Sequence, residues 1–263
     1  MIPKPYIAKW REYSPWNSLD QVEQDLLISR VLVAIFSDHF LKENLAFRGG
    51  TALHKLYLKP APRYSEDIDL VQTKKGNIGP ILKQLGHVID FFEENRTVKQ
   101  SVINNTILYR FDSEYTPGTQ LRIKVEINCR EQFSVLGLKE FPFTMESGWF
   151  SGHSGITTFD INELLGTKLR ALYQRKKGRD LFDLYYSGLH SELDYEKIIW
   201  VYQKYMSFAV KKLPSQRQFS QNIKAKQNDA GFQGDLEGLI RPGIVYDQEN
   251  AFAWLNDKII EKL

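Results

Sequence analysis

In "RYSEDIDL", two carboxylates, Asp67 and Asp69, stand two residues apart, close enough to act on one ligand. Side chains alternate along a strand, so Ser65, Asp67 and Asp69 share one face while Ile68 and Leu70 take the other. Neighbouring carboxylates repel unless solvent or a cation lies between them. Mg2+ takes oxygen ligands, commonly one or two carboxylates together with substrate phosphates. By itself, Asp-x-Asp also suits an ordinary wet strand face. Upstream, Gly49 and Gly50 separate a short apolar run, "LAFR", from a helical one, "TALHKLYL". Glycines at a strand-to-helix turn let backbone N–H groups approach a phosphate, and the helix start adds a favourable dipole. Thr51 either caps that helix or contacts the same phosphate. A Gly-Gly pair alone is a turn; joined to the carboxylates, it reads as a site for nucleotide phosphates and the metal that bridges them.

A second strand extends the pattern. In "LRIKVEIN", Leu121, Ile123, Val125 and Ile127 form one face, and Arg122, Lys124, Glu126 and Asn128 the other. If this polar face lies beside that of Asp67 and Asp69, three carboxylates hold two divalent ions for in-line phosphoryl chemistry. The alternative is a solvent-facing strand with an ordinary mixture of Lys and Glu.

Lys168 sits among apolar helical neighbours, Leu164, Leu165, Ala171 and Leu172. A lysine inside a buried stripe must snorkel or meet an anion, and a triphosphate is one such anion. On that reading Lys168→Met leaves folding unchanged or slightly improved and weakens nucleotide binding. Between Lys168 and Arg179, six of twelve residues are basic and none is acidic. Arg175, Lys176, Lys177 and Arg179 are therefore candidates for nucleic-acid contact, against a solvated basic turn as the alternative. Asp180 and Asp183 follow near a helix start, where carboxylates suit the dipole.

Positioning these groups requires a sheet and helices. "SPWNSLDQVEQDLLISRVLVAIFSDHF" reads as a helix opened by a Ser18/Gln21 capping box. "LAFR" and "SEDIDLVQ" read as strands, "IGPILKQLGHVIDFFEE" as a helix, and "SVINNTILYRF" and "QLRIKVEIN" as strands. From about residue 160 the pattern is helical throughout. The expected division falls near "GWFSGHSG", giving a sheet-bearing domain over 1–150 and a helical domain over 151–263 that completes the nucleotide site.

The chain has 263 residues, 42% of them hydrophobic and 13% aromatic, enough for one large domain or two small ones and contrary to an acidic disordered chain. A formal net charge of +3 does not by itself indicate nucleic acid. One cysteine, Cys129, forms no internal disulfide, which favours a reducing compartment. Neither a signal-peptide core nor a membrane-length apolar run is evident, so a cytoplasmic protein with no membrane partner is expected.

"FRGGTALHK", "RYSEDIDL", "ELLGTKLRAL" and "RDLFDLYY", in this order, resemble the AbiEii/AbiGii toxin family of nucleotidyltransferases. The resemblance implies an α+β fold: a DNA-polymerase-β-like mixed sheet with flanking helices, followed by a mainly helical C-terminal domain. It implies an NTP-dependent transferase using Mg2+ (or Mn2+), acting as the toxin of a toxin–antitoxin or phage-defence pair. The acceptor implied is RNA, notably the 3′ end of tRNA, and the partner an antitoxin protein or antitoxin kinase. Carried onto this chain, Gly49, Gly50 and Thr51 form the phosphate loop, with Arg63 and Ser65 beside it as nucleotide-binding candidates. Asp67, Asp69 and Glu126 take the metal role, Lys168 binds nucleotide phosphate, and Asp180 is the late acidic residue. The rival readings are a non-catalytic nucleotide-binding inhibitor, a small-molecule nucleotidyltransferase of the antibiotic-modifying kind, and a metal-dependent nuclease. A common nuclease signature has a lysine two residues after the strand's glutamate; here Lys124 precedes Glu126 and Asn128 holds the later place.

Overall fold

A computed structural model describes residues 2–92 and 96–263 and divides the chain into two compact units, Met1–Phe159 and Asp160–Leu263. The expected helix through "DFFEE" is α-helical only to Val88, and its last two residues lie outside the described ones.

The first unit opens with α1 (Lys4–Trp10) and α2 (Leu19–Ser37). The capping box forms as its sequence requires: Gln21 N donates to Ser18 Oγ at 3.2 Å, and Ser18 N to Gln21 Oε1 at 3.4 Å. After α3 (His39–Asn44) and β1 (Leu45–Arg48), α4 (Gly49–Ala52) runs directly into a π-helical turn over Leu53–Tyr57. β2 (Asp67–Gln72), α5 (Gly79–Val88), β3 (Arg96–Lys99), β4 (Asn104–Asp112), β5 (Gln120–Asn128), β6 (Leu138–Glu146) and β7 (Ser151–Phe159) follow. The strands form a mixed seven-stranded sheet in the order β3-β4-β5-β2-β1-β7-β6. β2 lies parallel to β5 and antiparallel to β1, and β1 runs parallel to β7. The apolar faces of β2 and β5, Ile68, Leu70, Ile123, Val125 and Ile127, are buried, and α2 packs on the sheet against β5, β6 and β7.

β6 and β7 are absent from the sequence reading, and they move the domain boundary. "GWFSGHSG" is the turn and return of their hairpin, where Ser147 N donates to Phe150 O at 3.0 Å. β7 then pairs with β1 through Phe47 and Thr158, whose Oγ1 donates to the Phe47 carbonyl at 2.7 Å. Residues 151–159 thus belong to the sheet, and the division falls after Phe159 rather than at 150. Pro142 suits β6 because it is an edge strand.

The second unit comprises α6 (Ile161–Gln174), α7 (Gly178–His190), α8 (Tyr195–Ala209), α9 (Gln216–Gln227), α10 (Ala230–Gln233) and α11 (Gln248–Lys258). α6 packs on α7 and α8, and α11 on α7. Close approach of α6 to α8 depends on Gly166, where a Cβ would lie 2.4 Å from Val201 Cγ1. No helix among the described residues is long and apolar enough to cross a membrane.

Candidate functional site

The parallel pairing of β2 with β5 sets Asp67 opposite Lys124 and Asp69 opposite Glu126. Strands in register place opposed side chains on the same face, so the three carboxylates expected from alternation do share one surface. Lys124 stands among them. Its Nζ lies 3.0 Å from Asp67 Oδ2 and 3.3 Å from Glu126 Oε2, with all three side chains about one-third exposed. Burial disfavours the Lys124 charge, but Asp67, and then Glu126, outweigh it and hold the pKa above the usual lysine value.

Among the described residues no three His, Cys, Asp or Glu side chains converge on one point as a metal cage would require. The ammonium of Lys124 supplies the positive charge between Asp67 and Glu126 instead, so Glu126 as a third metal ligand is not preformed. The donor set itself fits a hard divalent ion: carboxylate oxygens on adjacent strands, partly open to solvent.

The Gly-Gly turn is fixed by the same carboxylate face. Gly49 has φ +81°, and a Cβ at this position would lie 2.1 Å from Asp69 Oδ2. Both the left-handed backbone and the close approach therefore require glycine. Thr51 is buried, and its hydroxyl lies 2.9 Å from Ser65 Oγ while donating to the Asp67 carbonyl. Its side chain ties the turn to β2 rather than facing outward. Arg63 is also buried, 1% exposed, and donates to the Tyr64 carbonyl at 2.9 Å; of the two nucleotide-binding candidates in "RYSEDIDL", Ser65 is the more accessible. Arg48, just before the turn, pairs with Glu131 at 2.9 Å, which fixes the end of β1 to the segment after β5.

In the second unit the buried lysine meets its anions within the fold. Lys168 Nζ lies 2.8 Å from Asp183 Oδ2 and 3.2 Å from Asp180 Oδ1, and both aspartates are fully buried. Arg175 adds a bidentate contact to Asp180, Nε to Oδ2 at 2.7 Å and NH2 to Oδ1 at 2.9 Å. Asp183, expected from sequence only to suit the dipole of a helix start, is thus a partner of Lys168. Its signal was the spacing of three from Asp180, which places both carboxylates on one face of α7. The expectation that Lys168→Met leaves folding intact fails on this geometry, because it would strand buried carboxylates.

The basic run is not an unpaired patch. Lys176 pairs with Asp229 at 2.7 Å, Lys177 with Asp235 at 3.1 Å, and Arg179 with Asp235 at 3.0 Å. The acids come from sequence fifty residues or more away, so a local count of charges could not register them. Lys124 is the residue of the carboxylate face that sequence reasoning left without a role, although its place in the β5 alternation put it there.

Comparison with known proteins bears on the family and the fold. The family model described as "Nucleotidyl transferase AbiEii toxin, Type IV TA system" matches residues 30–255. The chain belongs to this family. It is a toxin nucleotidyltransferase, and the type IV system implies an antitoxin partner and an NTP substrate. Among solved structures, the nucleotidyltransferase toxin MenT4 from Mycobacterium tuberculosis H37Rv is similar, with TM-score 0.68 and 16% identity over 98% of this chain and 90% of that one. JHP933 from Helicobacter pylori is similar with TM-score 0.54 and 18% identity, over 92% and 90% of the two chains. At these identities the likeness is one of fold. No protein among curated ones matches the chain. The α+β fold expected of the family, a mixed sheet with flanking helices and helices following, is the observed one.

Proposed function

We propose that this toxin transfers a nucleoside monophosphate from an NTP to a hydroxyl of RNA, with the 3′ end of tRNA as the acceptor. The acceptor oxygen forms a bond to the α-phosphorus, the bond to the bridging oxygen breaks, and pyrophosphate leaves while the hydroxyl proton passes to solvent or a carboxylate. The observation that carries this reading is the register of β2 on β5, which sets Asp67 and Asp69 beside Glu126 with the Gly49 turn pressed against Asp69. Asp67 and Asp69 would hold Mg2+ (or Mn2+), which when bound neutralises charge on the transferring phosphoryl group. Gly49 and Gly50 offer backbone to the phosphates, and Thr51 holds that turn on β2. Lys124 keeps Asp67 and Glu126 from repelling one another. Lys168 and Asp180 act as positioning residues through the ion cluster joining α6 to α7. The antitoxin, a binding protein or a kinase, restrains the transfer.

The test is incubation of purified protein with each α-labelled NTP, Mg2+ and total cellular RNA. Label is expected in RNA, with the tRNA-sized fraction carrying it. Asp67→Asn and Asp69→Asn should each lose about 10³-fold in rate while melting as the parent does. Wild-type rates in both variants would remove the metal assignment, and label confined to a low-molecular-weight product would replace RNA by a small-molecule acceptor.

A further inference from the structure

We infer that the first unit contains a track for the acceptor strand: two adjoining cavities walled by Trp10, Tyr13 and Trp16 that hold consecutive nucleotides of single-stranded RNA beside β2. This rests on the nucleotidyl-transfer reading above.

The first cavity, about 240 Å³, has Thr51 and Ser65 in its wall. Because the Thr51 hydroxyl donates to the Asp67 carbonyl, the wall is continuous with the strand that bears the carboxylates. The rest of the lining includes Trp10, Tyr13, Trp16, Lys55, Lys59 and Arg63, with Asp25 as its one carboxylate. At about this volume, near the lower end of the roughly 300–1,000 Å³ that takes a drug-sized ligand, the cavity suits one base with part of its sugar. A second cavity, about 320 Å³, shares Trp10 and Tyr13 and adds Tyr6, Lys9 and the carboxylate of Glu146. Two cavities divided by an aromatic wall and flanked by cations form the pattern with which proteins hold single strands: bases stack on rings, and the charge follows the phosphates.

The state of each group separates structural members of this wall from those left for a ligand. Trp10 Nε1 donates to Asp25 at 2.8 Å, and Lys55 pairs with the same carboxylate at 2.8 Å. Those groups are committed to the fold and fix the Trp10 ring. Trp16 differs: it is 3% exposed, and its indole N–H has no hydrogen-bond partner among the described residues. A buried donor of that kind calls for an acceptor, and base edges present carbonyl and ring-nitrogen acceptors. Tyr13, on the dividing wall, is 62% exposed with its ring centroid 5.3 Å from that of Trp10, which leaves a face open for stacking. Lys59 and Lys9 line one cavity each and supply positive charge there; the Lys59 ammonium rests over the Phe141 ring, 5.5 Å from its centroid, and can leave it for a phosphate.

The experiment is a fluorescence-anisotropy titration of a labelled oligoribonucleotide of about eight residues, without NTP or divalent cation. Tyr13→Ala should weaken binding roughly tenfold, as one lost base stack does. Trp16→Phe, which keeps a ring and removes the N–H, should weaken it by about three- to tenfold. Lys59→Met should reduce the slope of log affinity against log salt by about 0.7. Unchanged RNA affinity in Tyr13→Ala and Trp16→Phe, at parental melting temperatures, overturns the track. If Trp16→Phe melts early, the exposed Tyr13 position decides alone. AMP should compete only weakly; AMP that binds as tightly as the oligomer overturns the strand in favour of a free mononucleotide. Asp67→Asn should keep RNA affinity while losing transfer. RNA binding through these residues with no transfer to any RNA would sink the transfer reading and leave the track. Transfer to RNA with parental KM in Tyr13→Ala and Trp16→Phe would do the reverse.

Discussion

Gly49 and Asp69 share so little space that no side chain can be added at Gly49 without moving Asp69. A methyl group at Gly49 would meet the Asp69 carboxylate at 2.1 Å, and the φ of +81° already penalises any L side chain. Gly49→Ala should therefore cost about 1–2 kcal/mol from the backbone term alone, visible in urea unfolding, and should also displace Asp69 and depress transfer by more than the stability loss accounts for. A variant with parental activity would show that Asp69 need not stay where the turn holds it. Lys168 poses a different problem. Removing its charge as Lys168→Met leaves Asp183 and part of Asp180 buried against a methyl group. Breaking one partner of a buried pair costs about 3–5 kcal/mol, so equilibrium unfolding should show a loss of that size. Exchanging Lys168 and Asp183 together, as Lys168→Met with Asp183→Leu, should recover part of it. Unchanged stability in the single variant would contradict the burial of both carboxylates.

At the scale of elements, α1 is held to α2 by polar groups as well as by packing. Asp25 of α2 is buried, accepts from Trp10 Nε1 and from Ser14 Oγ at 2.7 Å, and pairs with Lys55 in the turn after α4. Burial by itself would raise the Asp25 pKa; Lys55 and the two neutral donors outweigh it, and the pKa lies below the ordinary 3.8. A carboxylate depressed in the folded state stabilises it fully above its unfolded value and ceases to do so as pH falls through the folded value. The contribution is therefore intact above about pH 4 and fades on further acidification. Thermal melts should show a steeper acid limb in the parent than in Asp25→Asn, which at neutral pH should already be about 3–5 kcal/mol less stable because Lys55 loses its anion. Parallel acid limbs would remove Asp25 from this role. α6 is closed in a comparable way: the buried Lys226 donates to the carbonyls of Leu172 and Tyr173 at its C-terminal end.

For the whole molecule, the family membership makes a physiological prediction. Expression of the intact chain in bacteria should slow growth, and Asp67→Ala at a matched protein level should not. Equal growth would count against toxicity under those conditions while leaving the transfer reaction to its own assay. The net charge of +3 adds little to this picture, since the basic run of the second unit is matched by Asp229 and Asp235. Any attraction for RNA must come from local groups, and the lysines on the aromatic cavities of the first unit are such groups.

Local periodicity was enough to read several elements. Four alternations in "LRIKVEIN" put Glu126 on the face opposite the core, Asp-x-Asp did the same for Asp67 and Asp69, and Ser18 with Gln21 marked the start of α2. These features depend on neighbours within one turn or one strand, and the chain states them directly. The sequence could also say that Lys168 needs an anion, because its stripe is apolar. It could not say which anion. That Asp183 answers Lys168, that Asp229 and Asp235 answer the basic run, and that Lys124 stands between Asp67 and Glu126 are decided by elements packing across long separations. The same holds for β6 and β7: Pro142, Gly152 and Gly155 blur any strand pattern, and only hydrogen bonding to β1 makes residues 151–159 part of the sheet. Alternation tells a side chain its face; the register of β2 on β5, a contact between residues nearly sixty apart, tells it its neighbour, and the site is made of neighbours.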